Sequence, residues 1–244
     1  AVLMFRAMLC VCFQAGFRKS EVAIPDDAVF GRDRLRRSAL RWYINGTFHP
    51  ALPPELRRQL SRGAAAVLPP PPSKNDPFGV IFGGIPIYLP FDPSLPFSAA
   101  RHLADLELRF PCSNRDATPL FTTDGRFAPF RHAQADSRLR ALLVRELPAA
   151  EVGKYSMHSF RNGLACALLE AGASRAQIHS LCRWAPNIPS DALYARPNPE
   201  ACVSWISRAA AVAVTSVTSA NLPRIDNDDA ALVLSRLSDS ALGG

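Results

Sequence analysis

Lysine is scarce in this chain of 244 residues, where only Lys19, Lys74 and Lys154 occur and arginine supplies the remaining positive charge. The formal net charge is +7. The planar guanidinium fork suits phosphate oxygens, so this balance favours a polyanionic partner, with nucleic acid ahead of a membrane surface. A GC-rich genome, which replaces lysine with arginine and enriches alanine and proline, explains the same bias equally well.

Paired cysteines and long apolar runs are also missing. The six cysteines form no CxxC pair and no regular framework, which favours buried free thiols over zinc ligands or disulfides. The apolar start resembles a signal peptide, but Arg6 and Gln14 interrupt it and it is too short to span a bilayer. No other stretch is apolar enough to cross a membrane. Because the sequence starts without Met and inside a predicted helix, we expect a piece of a longer protein.

Hydrophobic spacing and turn residues predict a mainly helical α+β fold with a small antiparallel sheet. Predicted strands cover 34–44, which ends at the turn signal Asn45-Gly46, and a hairpin of 79–82 and 85–89 around Gly83-Gly84. Residues 56–68 are interpreted as helical. The other predicted helices cover 2–15, 18–23, 98–110, 133–147, 158–171, 174–183 and 199–214.

The predicted organisation is one domain over 1–214, with a Pro-rich insertion at about 49–72, followed by a tail over 215–244. The four prolines 69–72 form a stiff extended break in that insertion. The tail is rich in Ser, Asn, Asp and Ala, and a short helix at 228–238 is the alternative to a featureless tail. Residues 190–196 are at best a short helix.

A His-Arg pair is the first feature that suggests chemistry. His158 and Arg161 are three residues apart at the predicted start of a helix, so both side chains project from one face. Backbone N–H groups and the helix dipole at such a terminus add to the attraction for a phosphate. The pair alone is a weak signal, since most His-x-x-Arg pairs are structural.

The surrounding pattern resembles the tyrosine recombinase (phage integrase) family. HSFR (158–161) is followed by AGAS (171–174), then AQIHSLCRW (176–184) and Tyr194. The family has this order of His-x-x-Arg, a turn with Ser, a second helix, a His or Trp, and a nucleophilic Tyr. The interval from Trp184 to Tyr194 is one residue longer than in the family pattern, in a loop that contains two prolines. AGFRKSEV (15–22) is similar to the family's first box, which implies Arg18 as the first catalytic arginine and Glu21 as the supporting acid.

The resemblance also implies a catalytic lysine at a β-hairpin between the two boxes. Lys74 precedes the predicted hairpin and is favoured, while Lys154, next to the HSFR box, is the alternative. The interval from Arg18 to Lys74 is longer than in compact family members. The family's usual N-terminal core-binding domain, which completes the clamp around DNA, is absent from this sequence.

The implied mechanism is transesterification on DNA. Arg18 and Arg161 would clamp the non-bridging oxygens, and Tyr194 would attack the phosphorus to give a 3′-phosphotyrosyl intermediate. His158 would assist as base and hydrogen-bond donor, and Lys74 would protonate the leaving 5′ oxygen. Trp184 would donate its indole N–H or pack the site. No cofactor and no metal are implied, and no carboxylate cluster for a metal is evident.

The expected partner is double-stranded DNA, with self-association on DNA and no membrane. In the family, the segment after the tyrosine often docks on a neighbouring protomer, and for residues 199–214 packing within the chain is the equal alternative. Composition and the long insertion suggest a eukaryotic mobile element, hence a nuclear protein, or otherwise a cytoplasmic one. Rival functions are a type IB topoisomerase, a catalytically inactive DNA-binding remnant of a mobile element, and a helical module with no nucleic-acid role.

Overall fold

The computed structural model describes residues 2–31, 33–72, 76, 78, 83–95, 97–184 and 199–212 of the chain. These residues form a mixed α+β structure with a four-stranded antiparallel sheet. The strands are β1 (Arg41–Ile44), β2 (Thr47–His49), β3 (Ala65–Leu68) and β4 (Ile87–Pro90). The helices are α1 (Val2–Ala15), α2 (Lys19–Val22), α3 (Pro54–Arg57), α4 (Ala99–Arg109), α5 (His132–Glu146), α6 (Ala149–Val152), α7 (His158–Glu170), α8 (Arg175–Cys182) and α9 (Pro199–Ala211), with a 3-10 turn at Arg37–Ala39.

Helix α1 is the central element, which explains why its sequence is apolar on nearly every side. It contacts α4, α7 and β4, and most of its residues are buried. Its predicted bounds are confirmed, as is its end at Gly16, where φ is +59°. The apolar start of the sequence is therefore a core helix. None of the helices within the described ranges is long and apolar enough to cross a bilayer.

The sheet has the strand order β2-β1-β3-β4, with every neighbouring pair antiparallel. The turn between β1 and β2 uses Asn45 (φ 50°) and Gly46 (φ 79°), so both central residues are left-handed, as a tight type I′ hairpin turn requires. One face of the sheet packs on α1 and α4. The other face, with Val67 and Tyr88, packs on Cys202 of α9.

The helical interpretation of 56–68 is wrong from Arg58 onward. Helix α3 ends at Arg57, and residues 65–68 form β3, which lies between β1 and β4. All four residues of β3 are buried because both faces of this inner strand are covered, and such a continuous apolar run has no two-residue alternation to distinguish it from a buried helix. The segment interpreted as a Pro-rich insertion thus contributes an inner strand.

Most other elements follow the predictions with shifted ends, whereas β2 and α6 were not predicted. The predicted strand 34–44 begins only at Arg41, after the 3-10 turn. Of the predicted hairpin, 85–89 corresponds to β4, which pairs with β3, while 79–82 lies outside the described residues. The proposed helices at 190–196 and 228–238 and the tail over 215–244 also lie outside them.

Helices α7, α8 and α9 build a second core around Leu164, Leu168, Ile178 and Ile206. Ser174 caps α8 as predicted: its Oγ accepts from the N–H of Gln177, and the Gln177 side chain accepts from the N–H of Ser174. Helix α9 packs on α7 and β4 of its own chain. Residues 199–211 thus pack within the chain, while docking on a neighbouring protomer stays a prediction.

Candidate active site

The turn after α1 directs backbone carbonyls toward α7 and α8. The N–H of Phe17 donates to the carbonyl of Cys12 (3.1 Å), and the N–H of Gly16 donates to Phe13 (3.3 Å). This pattern, with a left-handed glycine, is a Schellman motif that ends a helix sharply. The carbonyls of Ala15 and Gly16 are left as acceptors for side chains from elsewhere in the chain.

Arg161 of α7 donates to one of these carbonyls. Its residue is only 2% exposed, and its Nη1 donates to the carbonyl of Gly16 at 2.6 Å. Its Nη2 donates to the carbonyl of Arg183, the residue that ends α8, at 3.2 Å. The guanidinium group therefore joins the end of α1 to the end of α8, and both of these bonds go to neutral carbonyls.

Glu21 of α2 is the carboxylate at this site. Its side chain is 1% exposed and receives Arg183 on both oxygens, with Nη1 to Oε1 and Nη2 to Oε2 each at 3.3 Å. The Nη1 of Arg18 lies 3.8 Å from Oε1, and the N–H of Arg18 donates to Oε2 at 2.6 Å. Glu21 thus anchors the arginine at the start of α2 and the arginine at the end of α8.

Arg18 and Arg183 therefore pair with one buried carboxylate, and the guanidinium group of Arg161 lies close enough to be influenced by all three charges. Burial lowers the pKa of Arg161, and the positive charges of Arg183 and Arg18 lower it further. Burial also lowers the pKa of Arg18; Glu21 opposes this and Arg183 adds to it. The charged forms are thus destabilised by burial and by one another, so an arriving anion would offset the excess positive charge. Phosphate and carboxylate groups are the anions that the arginine fork matches.

The structure brings three of the predicted site residues together, namely Arg18, Glu21 and Arg161. His158 is the first residue of α7, half-buried and one helical turn before Arg161. Trp184 follows Arg183 and packs in the second core, with its ring edge-on to His179 at 5.4 Å between centroids. Of the two roles considered for Trp184, packing is the one that the described contacts show.

Lys74 and Tyr194 lie outside the described residues. The alternative lysine, Lys154, is exposed and pairs with Glu151 at 2.7 Å within the turn after α6. No group of three or more His, Cys, Asp or Glu side chains suited to a metal ion occurs in the part of the chain that the structure describes.

Arg183 is the site residue that the sequence did not reveal. Its pairing with Glu21 spans 162 positions of sequence, so no local spacing could indicate it. The one available signal was its place immediately before Trp184, in a stretch that already matched a motif. Its backbone is left-handed (φ 53°), a conformation in which a helix end usually has glycine.

Comparisons with protein-family models, with curated proteins and with solved structures find no match to this chain.

Proposed function

We propose that this chain is the catalytic domain of a tyrosine recombinase, which cuts and rejoins double-stranded DNA through a 3′-phosphotyrosyl intermediate. The observation that carries the proposal is the convergence of Arg18 and Arg161 around Glu21. Two motifs that are separated by more than half of the chain contribute these residues, and each was chosen from the sequence for the same phosphate. Their meeting in one cluster is the arrangement that the proposed reaction needs.

The charge of the cluster fits a phosphodiester. Arg18 is partly exposed, whereas Arg161 is buried. The two bonds of Arg161 to carbonyls leave other guanidinium donors, because arginine carries five N–H groups. Fixed donors in a site of low water content stabilise charge that develops on the phosphoryl oxygens during attack.

Two other tyrosines are poorly suited to act as the nucleophile. Tyr43 donates its hydroxyl to Glu200 at 2.8 Å, and this bond raises the pKa of Tyr43. Burial raises the pKa of Tyr88. A raised pKa disfavours the tyrosinate that attacks phosphorus, and both residues lie on the sheet face that packs on α9. Tyr155 and Tyr194 remain, and the order of the motif, in which the nucleophile follows Trp184, favours Tyr194.

The proposed step balances without a cofactor. The phenolic oxygen of Tyr194 forms a bond to phosphorus as the bond from phosphorus to the 5′ oxygen breaks. The tyrosine proton passes to a base, for which His158 at the start of α7 is the proposed group. Lys74 is the proposed acid that protonates the leaving 5′ oxygen. Religation is the reverse attack by a 5′ hydroxyl.

A suicide-substrate assay tests this proposal. Nicked duplexes from a broad sequence library lose the short leaving fragment after cleavage, so the covalent complex accumulates and shifts on a denaturing gel. We expect an adduct from the wild type and from Tyr155→Phe, and none from Tyr194→Phe. Duplex that is bound by the wild type without any adduct would show a catalytically inactive DNA-binding remnant instead.

A second assay distinguishes recombination from topoisomerase activity. Wild-type protein is incubated with a supercoiled plasmid that carries two copies of a sequence that was cleaved in the first assay. We expect recombinant products, which require strand exchange. Relaxed plasmid without recombinants would favour a type IB topoisomerase, and the absence of salt-dependent DNA binding would favour a helical module without a nucleic-acid role.

A further inference from the structure

Arg183 occupies a backbone position that normally belongs to glycine. At the end of α8 its φ is 53° and its ψ is 50°, and the N–H of Trp184 donates back to His179 at 3.0 Å. A residue with a Cβ is strained in this left-handed conformation. Arginine at this position therefore requires contacts of its side chain that offset this strain.

Those contacts all lie on the turn that carries Arg18. The guanidinium fork of Arg183 faces both oxygens of Glu21, and its Nη2 also reaches the carbonyls of Ala15 and Gly16 at 3.4 Å. Its plane lies over the ring of Phe17, with 4.7 Å from Cζ to the centroid. The terminal nitrogens of Arg183 are thus used on the protein itself.

The backbone of the same residue holds Arg161. The carbonyl of Arg183 accepts a hydrogen bond from the Nη2 of Arg161 at 3.2 Å. Trp184 follows and is anchored in the second core, and residues 185–198, which include Tyr194, begin directly after it. Arg183 therefore contacts both the turn of Arg18 and Arg161, and in sequence it closely precedes the segment that contains Tyr194.

We propose that Arg183 is a positioning residue for strand cleavage, which locks Glu21 and the Arg18 turn against Arg161. This inference rests on the function proposed above. The fork of Arg183 is paired with the carboxylate of Glu21, which offsets its charge, whereas the bonds of Arg161 go to neutral carbonyls. Arg183 therefore acts through Arg18 and Arg161 and is not a ligand of the phosphate. Its loss should affect the rate of cleavage and leave the affinity for DNA unchanged.

The test compares Arg183→Lys and Arg183→Gly with a matched control, Arg37→Lys. Lysine keeps the positive charge beside Glu21 but loses the fork, and glycine keeps the left-handed turn without strain. Arg37 is also a buried arginine bonded to a glutamate and a carbonyl, but it belongs to a separate cluster. For each variant we would measure the melting temperature, the DNA dissociation constant and the rate of adduct formation, well below every melting temperature.

We expect both Arg183 variants to form adduct about 100-fold more slowly than the wild type, the cost of a small misplacement of reacting groups. Their DNA affinity should match that of the wild type. Arg37→Lys should lose stability yet cleave at the wild-type rate, because its effect is on folding alone. If Arg183→Gly does not melt cooperatively, Arg183→Lys decides.

Two results would overturn the inference while leaving the proposed function intact. One is an Arg183→Lys variant that cleaves as fast as Arg37→Lys. The other is a parallel loss of cleavage and DNA affinity in Arg183→Lys, which would make the residue a phosphate ligand. Failure of the wild type to form adduct is a different result, since it would overturn the proposed function and the inference with it.

Discussion

Arg37 and Arg161 are both buried arginines, but their hydrogen-bond partners differ in charge. Arg37 pairs with Glu107 at 3.3 Å and donates to the carbonyl of Phe110. Glu107 also receives Arg115 at 2.6 Å, so this network ties the segment after α4 to the 3-10 turn. Among the described residues, Arg161 donates to two backbone carbonyls, and Glu21 acts on it only as a nearby charge. The positive charge of Arg37 is therefore offset by a directly bonded carboxylate, whereas Arg161 has no carboxylate among its hydrogen-bond partners within the described residues.

Replacing Arg161 by lysine tests this difference at the level of one residue. Lysine cannot keep both carbonyl bonds and still present a fork to a phosphate. We expect the rate of adduct formation to fall by about 100- to 1,000-fold, as for the loss of one charge-stabilising donor. Arg115→Lys, in the other network, should retain the wild-type rate. Equal rates for the two variants would remove Arg161 from the proposed site.

Gly16 is the second residue whose replacement is informative. At φ +59° a Cβ would be strained, and it would meet Leu164 Cδ2 at 3.3 Å and Arg161 Cγ at 3.8 Å. We expect Gly16→Ala to lower the free energy of unfolding by about 1–2 kcal/mol. We also expect slower cleavage, because a shift of the strained backbone at Gly16 would move the carbonyl that accepts from Arg161. The measurement is chemical denaturation together with the adduct assay.

Gly153 provides the matched control for that substitution. Its φ is −68° and nothing lies within 4 Å of an added Cβ. Gly153→Ala should therefore be neutral or slightly stabilising and should leave cleavage unchanged. An equal loss of stability in both variants would argue against a special role for the turn after α1.

At the level of elements, long amphipathic or capped segments were predictable and short buried ones were not. The helices α1, α4, α5, α7 and α8 agree with the predictions to within a few residues, because periodicity and caps are local signals. The prediction for the residues of β3 was wrong because Ala65-Ala66 favours a helix locally. Only pairing with β1 and β4 makes these residues a strand. That pairing is a long-range property that one segment does not reveal.

The capping box of α8 gives a prediction about one element. The hydroxyl of Ser174 accepts from Gln177 at 3.3 Å, and α8 ends at the arginine that holds Glu21. We expect Ser174→Ala to lower the free energy of unfolding by about 1 kcal/mol, the usual value of an N-cap. Ser204, exposed inside α9, is the control: Ser204→Ala should be neutral or stabilising, since alanine is the better helix former. A capping contribution is refuted if the two variants melt alike.

At the level of the whole molecule, the cluster lies where two cores meet. The larger core surrounds α1, α4 and the sheet, and the smaller one joins α7, α8 and α9. Arg161 and Arg183 come from the smaller core, whereas Arg18 and Glu21 follow α1 of the larger one. The order of the motifs predicted Arg18, Glu21 and Arg161 as site residues. Arg183 could not be predicted, because its contacts depend on how the two cores pack together.

The net charge of +7 gives a prediction for the molecule as a whole. If several arginines neutralise phosphates, binding releases counterions and the logarithm of the affinity falls linearly with the logarithm of salt concentration. We expect affinity for a random duplex to drop by about 1,000-fold or more between about 50 and 200 mM salt, measured by fluorescence anisotropy. An affinity that does not depend on salt would contradict a phosphate-binding surface.

The most direct measurement is to identify the residue that carries the DNA. Wild-type protein is trapped on a cleaved suicide substrate, digested with nuclease and trypsin, and the modified peptide is sequenced by mass spectrometry. We predict a phosphotyrosyl linkage at Tyr194 through the 3′ phosphate, in the peptide that starts at Trp184. A linkage at Tyr155 or any other residue, or a peptide map without a modified tyrosine despite cleaved DNA, would contradict the proposed function.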